Sequence, residues 1–241
     1  MHPDLIYCAG GNRRFAQIAI EAGFKYGAQL PRDKPHFPIH FADQDWKKPD
    51  RSKYMAQLAA HRPSIATVLD LQRRTQLRQV IDWAEEASQY CSHVVIIPKV
   101  RGAIQKLPRR VNNKDIILGF SVPSKYGATT LEPTEFSSWP VHLLGGSPHR
   151  QISLWRDMSA YCDIVSIDGN YTQLVAIKFN KFWANGDAHY ANNRWLPRLD
   201  EADQRKWAHG APYEAFRRSC RNIMLAWSAL DTRTIEEDAH G

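Results

Sequence analysis

The chain has 241 residues, with 32 Lys and Arg against 25 Asp and Glu, a formal net charge of +7 at neutral pH. Hydrophobic residues make up 43% and charged residues 24%, which excludes wholesale disorder and collagen-like repeats. The longest apolar runs, such as His93-Val94-Val95-Ile96-Ile97-Pro98, are too short to span a bilayer, and Met1-His2-Pro3-Asp4 lacks the basic-then-apolar order of a cleaved signal peptide. A cytoplasmic protein with no membrane partner is therefore expected. Four cysteines, at 8, 91, 162 and 220, leave no Cys-x-x-Cys motif. Cys8 lies in an apolar run and Cys162 directly precedes one, so reduced, buried thiols are expected. The excess positive charge points to an anionic partner.

In chain order, Leu5–Cys8 is the first of eight short apolar runs, most of them rich in β-branched and aromatic residues. A helical pattern over Phe15–Ala22 follows, then runs at Phe24–Ala28 and Ile39–Ala42, a helix over Ser52–Ala60, and a fourth run at Ile65–Leu69. Gln76–Tyr90 carries Leu77, Val80, Ile81, Ala84 and Ala87 at helical spacing. Runs at Val94–Ile97, Ile116–Phe120 and Val141–Leu144 come next, then a helix over His149–Ala160 and the eighth run, Asp163–Ile167. Apolar residues on consecutive positions mark strands buried on both faces. Eight such strands alternating with connections predict an α/β chain folded as a (β/α)8, TIM-like barrel with a C-terminal helical extension. An open doubly wound sheet is the alternative. Beyond residue 170, Tyr171–Trp183 reads as a helix closing the barrel and Asn185–Pro197 as a loop. Pro212–Leu230 reads as a long helix whose stripe of Phe216, Cys220, Ile223, Met224, Trp227 and Leu230 packs on the barrel. The layout expected is a barrel domain over 1–184, a loop and helices over 185–230, and an acidic tail over 231–241.

A barrel of this kind gathers its chemistry at the C-terminal ends of its strands. Strand one ends in Gly10-Gly11-Asn12-Arg13-Arg14, strand three in Asp43-Gln44-Asp45-Trp46, strand four in Asp70 and strand five in Lys99. Gly119 falls within strand six, strand seven ends in Gly145-Gly146-Ser147-Pro148, and strand eight ends in Asp168. Three strands thus deliver an aspartate at an equivalent place, although each alone also reads as a helix N-cap. Gly145-Gly146 serves either a tight turn or the close approach of a flat ligand. Positive charge follows the same ends: Arg13, Arg14, Arg32, Lys34, Lys47, Lys48, Arg73, Arg74, Lys99, Arg101, Lys125 and Arg150. Arg109, Arg110 and Lys114, which precede strand six, are the exception. A basic rim around an acidic centre suits a nucleic-acid substrate. The plainer reading is that loops on this face are longer and hold more of every polar residue.

The order of these motifs resembles the tRNA-guanine transglycosylase superfamily, including the enzymes that insert 7-deazaguanines into DNA. The stretch Val141-His142-Leu143-Leu144-Gly145-Gly146-Ser147-Pro148, followed by Asp163-Ile164-Val165-Ser166-Ile167-Asp168, is similar to that family's glycine segment and nucleophile strand. The resemblance implies a barrel that exchanges a purine base through a covalent glycosyl intermediate on Asp168, with no cofactor. It implies Asp43 as the acid/base, Asp70 reading the base edge, and Gly119, Gly145 and Gly146 lining the base site. Two departures shape the reading. Asp43-Gln44-Asp45-Trp46 replaces the family's Asp-Ser-Gly-Gly-Phe-like segment, so Asp43 and Asp45 compete for one role. Lys99 stands where a base-binding glutamine is expected. The three-cysteine, one-histidine zinc site of the tRNA enzymes is absent from the sequence, which favours DNA over tRNA as partner and a 7-deazapurine as the small substrate. The overall sequence type also resembles an uncharacterised family of phages and mobile elements. Trp46 or Tyr126 could stack on a base.

Two rival readings remain: a Mg²⁺- or Mn²⁺-dependent hydrolase or nuclease using Asp43, Asp45, Asp70 and Asp168, and an inactive barrel that binds nucleic acid or a protein. A partner protein or a homo-oligomer is compatible with each. Of the ten histidines, His36 and His40 flank Pro38 and make poor co-ligands, and His142, within a strand, reads as a satisfied core imidazole.

Overall fold

The computed structural model describes residues 3–9, 11–123, 129–185, 196–206 and 210–238. Among these, nine strands and seven α-helices follow in order: β1 (Asp4–Cys8), α1 (Arg13–Glu21), β2 (Lys25–Leu30), β3 (Phe41–Gln44), α2 (Arg51–His61), β4 (Ile65–Thr67), α3 (Leu77–Ala87), β5 (His93–Ile96), β6 (Arg110–Val111), β7 (Lys114–Ser121), β8 (Pro140–Leu144), α4 (Pro148–Met158), β9 (Asp163–Gly169), α5 (Tyr171–Phe179), α6 (Glu201–Lys206) and α7 (Ala211–Asp238). Eight of the strands are parallel neighbours, and the β5–β7 pairing closes them into a barrel. Each contains one of the eight apolar runs or most of it, except β3, which holds the second half of Ile39–Ala42 and runs on to Gln44. The short β6 stands apart, antiparallel to β7. The chain is thus an α/β barrel with flanking helices, and the open-sheet alternative is excluded by closure.

Capping residues at the mouth start the helices. The Asn12 carboxamide oxygen accepts from the N–H groups of Arg14 and Phe15 (3.0 and 3.3 Å), Asp50 accepts from Lys53 N at 3.1 Å, and Ser147 caps α4, with Pro148 in its first turn. The helix expected over Tyr171–Trp183 stops at Phe179. Asn180 turns left-handed, at φ +50°, a conformation asparagine tolerates at a helix end, and Lys181 then bridges Arg198. α7 carries on to Asp238, through most of the segment expected as a tail.

Both faces of the strands are buried. Ile6, Phe41, Ile65, Val95, Ile97 and Ile117 fill the barrel interior, while Tyr7, Leu30, Ala42, Val94, Ile96 and Leu118 face the helices. α7 seals the outside of the β1/β9 seam. Phe216 packs against Tyr7 and Phe15 at ring distances of 5.3 and 5.1 Å, and Trp227 meets Trp155 edge-on at 5.8 Å. Its apolar stripe therefore belongs to the barrel's own core. All four cysteines are buried free thiols.

One irregularity decides what lines the mouth. Along β9, Ile164 and Ile167 both face the helices, although strict alternation would put them on opposite sides. A bulge between the Val141–Ile164 and His142–Ser166 pairs absorbs the extra residue, Val165. The slip in phase turns Ser166 and Asp168 inward, where His142 already points. Bulges re-aim side chains in this way.

Candidate active site

Asp43 sits at the C-terminal end of β3, opposite Gln29 in the β2 register. The Gln29 Nε2 donates to Asp43 Oδ2 at 2.9 Å, and the Thr67 hydroxyl donates to Oδ1 at 3.1 Å. Thr67 Oγ1 accepts in turn from the Gln44 N–H at 2.7 Å. Behind this trio the buried Tyr54 hydroxyl bridges the carbonyls of Ala42 and Thr67 at 3.2 and 2.6 Å, tying β3 to β4. The carboxyl of Asp43 thus has neutral partners only. Burial, then the charge of Asp168, pushes its pKa up to about 7, against the pull of its two hydrogen bonds, and Asp70 adds to the rise.

Asp168 lies at the end of β9. Its Oδ1 accepts from the Gly145 N–H at 3.1 Å and from His142 Nε2 at 3.2 Å. Among the described residues nothing donates to Oδ2. Gly145 takes φ +68°, and this left-handed turn aims its N–H at the carboxylate. The Gln151 side chain, reaching back from α4, clamps the carbonyls of Gly145 and Asp168 at 2.7 and 2.9 Å. Gly146, at φ +85°, has no room for a side chain, because a Cβ there would lie 2.4 Å from Val122.

Asp70 and Lys99 complete the mouth. The β4–β5 pairing extends past the strands: Leu71 N–H donates to the Ile97 carbonyl at 2.9 Å and Lys99 N–H to the Leu71 carbonyl at 3.0 Å. Lys99 Nζ donates to the Ser121 hydroxyl at the end of β7. Burial raises the Asp70 pKa against the pull of Lys99, and burial lowers that of Lys99 against the pull of Asp70. Asp43, Asp70 and Asp168 thus stand at or just past the C-terminal ends of β3, β4 and β9, and the charges of Asp168 and Asp70 both add to the rise of the Asp43 pKa.

Other expected site residues lie elsewhere. The Asp45 carboxylate turns onto its own loop and accepts from the Lys47 N–H at 3.2 Å. The space a Gly119 side chain would take holds Ile97 and Leu144, with a Cβ only 2.6 and 2.8 Å from them. The absence of a side chain at Gly119 is thus required by interior packing. Trp46 is exposed, with Lys47 Nζ 5.2 Å from its ring centre. Arg13, Arg14, Arg32, Lys34, Lys47, Lys48, Arg73, Arg74, Arg101 and Arg150 are exposed around the same mouth. Lys125, Tyr126 and Gly10 lie outside the described residues. No group of three or more His, Cys, Asp or Glu among the described residues could hold a metal ion. The four-carboxylate set of the hydrolase reading is not assembled, because Asp45 faces away.

Sequence reasoning missed Gln29, Thr67, Ser121, Gln151 and Ser166 and discounted His142. Gln29 carried one usable signal, a polar residue on an inward position of a buried strand. Ser166 carried none, since its inward direction depends on the bulge.

Residues 17–228 match the model of a family of unknown function, DUF6610. The chain belongs to that family. No curated protein matches it. The YdjI aldolase of Escherichia coli K12 shares the fold at a TM-score of 0.51 and 9% identity, over 94% of this chain and 88% of that one. At that identity the likeness concerns the barrel alone. Among the described residues no helix is long and apolar enough to cross a membrane.

Proposed function

We propose that this protein is a base-exchange transglycosylase acting on a nucleic acid, DNA before tRNA, that replaces a purine with a 7-deazaguanine-type base. One observation supports the reading: two carboxylates at the same end of the barrel have different surroundings. Asp43 takes a pKa of about 7, where one group serves as both acid and base. Asp168 has one oxygen fixed by two N–H donors and the other without a donor among the described residues.

In this scheme Asp168 Oδ2 attacks the anomeric carbon as the bond to the purine breaks, and protonated Asp43 gives its proton to the departing base. The glycosyl–enzyme ester holds the sugar with the phosphodiester chain intact. The incoming base loses its N–H proton to Asp43 as it attacks, and Asp168 is released. Asp70 accepts from the base's N–H edge and Lys99 donates to its carbonyl. The rim cations neutralise phosphates, and a duplex target would be flipped out.

The test is exchange of labelled guanine or 7-deazaguanine into single-stranded DNA, duplex DNA and RNA. Label that enters the polymer without strand cleavage supports the reading. Neither incorporation nor base release on any of the three would overturn it. Cleavage abolished by EDTA would select the metal-dependent hydrolase instead.

A further inference from the structure

We propose that His142, its tautomer set by the Asp168 carboxylate and its ring held by Ser166, is the positioning residue that fixes Asp168 Oδ1 and leaves Oδ2 as the reacting oxygen. His142 is wholly buried inside the barrel, as is Ser166. The two are direct partners in the β8–β9 register. The Ser166 Oγ lies 2.7 Å from His142 Nδ1, and the Asp168 Oδ1 lies 3.2 Å from Nε2. The ring stacks on Phe41 from β3, with centroids 4.7 Å apart and planes 24° from parallel, so it has little freedom to rotate.

Donor and acceptor roles follow from the chemistry of the three groups. A carboxylate oxygen only accepts, so Nε2 must carry a proton. In the neutral ring Nδ1 is then a lone pair, and the donor beside it is the Ser166 hydroxyl. A serine hydroxyl donates or accepts as required, but here the carboxylate at the far side of the ring decides for it. The chain of bonds therefore runs from Ser166 O–H to Nδ1, and from Nε2–H to Oδ1. The other charged or titratable groups facing this chain are Asp43 from β3 and Cys8 from β1, both coupled to the Asp168 charge. With the Gly145 N–H as second donor to Oδ1, the carboxylate cannot rotate without losing both bonds. The Val165 bulge, which turns Ser166 and Asp168 to the same side as His142, has this arrangement as its consequence.

The geometric part stands by itself, and the kinetic part rests on the transglycosylase reading. Ring-nitrogen NMR of ¹⁵N-histidine protein, assigned with His142→Gln, reads the tautomer. Wild type is expected to show protonated Nε2 and bare Nδ1 near neutral pH. Ser166→Ala is expected to keep the proton on Nε2 and to shift the bare Nδ1 resonance, which loses its donor, and Ser166→Thr, which keeps the hydroxyl, to restore the wild-type shift; Asp168→Ala, which removes the carboxylate, is expected to mix the two tautomers. A wild-type ring protonated on Nδ1, or on both nitrogens, would overturn the assignment, as would an Nδ1 resonance unchanged in Ser166→Ala or a single Nε2–H form retained in Asp168→Ala. In base exchange, Ser166→Ala should lower kcat about tenfold with KM for the base unchanged, and Ser166→Thr should recover it. A fall shared equally by Ser166→Thr, or one confined to KM, would reduce His142 to packing. If wild type shows the expected tautomer but no exchange on any polymer, the transglycosylase reading fails while the assignment of His142 holds.

Discussion

The two ends of the barrel differ in how many of their cations are paired. At the N-terminal end, cations have close partners. Lys25 Nζ lies 2.6 Å from Asp4 and Arg110 Nε 2.6 Å from Asp115. Lys114 donates to the Cys91 carbonyl at 2.7 Å, and Arg109 lies over the Trp139 ring at 3.7 Å while donating to the Ser138 carbonyl. At the C-terminal end, Arg32 pairs with Asp33 at 3.3 Å and Arg101 lies 4.0 Å from Glu132, but Arg13, Arg14, Lys34, Lys47, Lys48 and Arg73 form no ion pair with a described carboxylate, though Asp43 and Asp168 lie within the same ring of loops. Those two acids are held instead by Gln29 and Thr67, and by Gly145 N–H and His142. Pairing them with arginines would satisfy their charges locally. Keeping cations and acids apart leaves the former for an anionic ligand and the latter for chemistry. The three cations expected to contradict the rim, Arg109, Arg110 and Lys114, are those the other end consumes in structure.

The most severe way to break this contrast is Asp168→Asn. The amide oxygen can still accept from Gly145 and His142, so the fold should persist, but the nucleophile is lost. We expect base exchange to fall by about 10³-fold or more, with no covalent adduct by mass spectrometry of the denatured protein. An adduct of wild-type yield in Asp168→Asn would remove Asp168 from this role.

Asp43→Asn tests the second acid through both rate and stability. The rate should drop by about 10²- to 10⁴-fold, the usual contribution of a general acid/base. Stability should move the other way. In the folded protein Asp43 titrates near 7, against 3.8 for an ordinary aspartate. Between those values the folded state keeps a proton that the unfolded chain has lost. Stability therefore declines as pH rises through that window, and the penalty is complete above 7. Asparagine removes it, by on the order of 1–3 kcal/mol. Urea melts should find Asp43→Asn more stable than wild type at pH 8 and the two converging near pH 4. Parallel curves at both pH values would show that the carboxyl is not strained by its surroundings.

Exchanging charge at the two ends sharpens the comparison further. Arg73→Ala or Lys48→Ala should each weaken DNA binding and reduce the slope of log K against log salt by about 1 for each phosphate no longer neutralised. Lys25→Ala or Arg110→Ala, at the far end, should leave that slope unchanged. Equal effects at both ends would mean that binding follows net charge rather than the rim.

The two ends were also unequally legible in the sequence. The barrel could be read from the strands because both their faces are apolar, so each run stands out without knowledge of its partners. Asp43, Asp70 and Asp168 could be placed because a strand end is a position in the chain. What holds them could not be placed. Gln29 reaches Asp43 across the β2–β3 register, and the inward turn of Ser166 depends on a bulge whose sequence, Ile164-Val165-Ser166-Ile167, has no turn residue to announce it. Gly119 misled for the opposite reason. A glycine near an expected base site signals a flat ligand or a tight interior equally well, and only the positions of Ile97 and Leu144 distinguish them.

Trp46 gives the smallest expected effect and a clean one. Its ring is 47% exposed beside the acidic centre, with Lys47 as its close neighbour. Nothing in the core leans on it, so Trp46→Ala should change stability by no more than about 0.5 kcal/mol. If the ring stacks on a base entering the mouth, the substitution should weaken single-stranded DNA binding by about 1–3 kcal/mol. The salt slope should stay unaltered, because stacking releases no counterions. Fluorescence gives an independent reading: among the described residues Trp83, Trp139, Trp183 and Trp227 are buried, and the part of the quenching that Trp46→Ala removes is the part owed to Trp46. Full quenching by DNA retained in Trp46→Ala would remove Trp46 from base recognition.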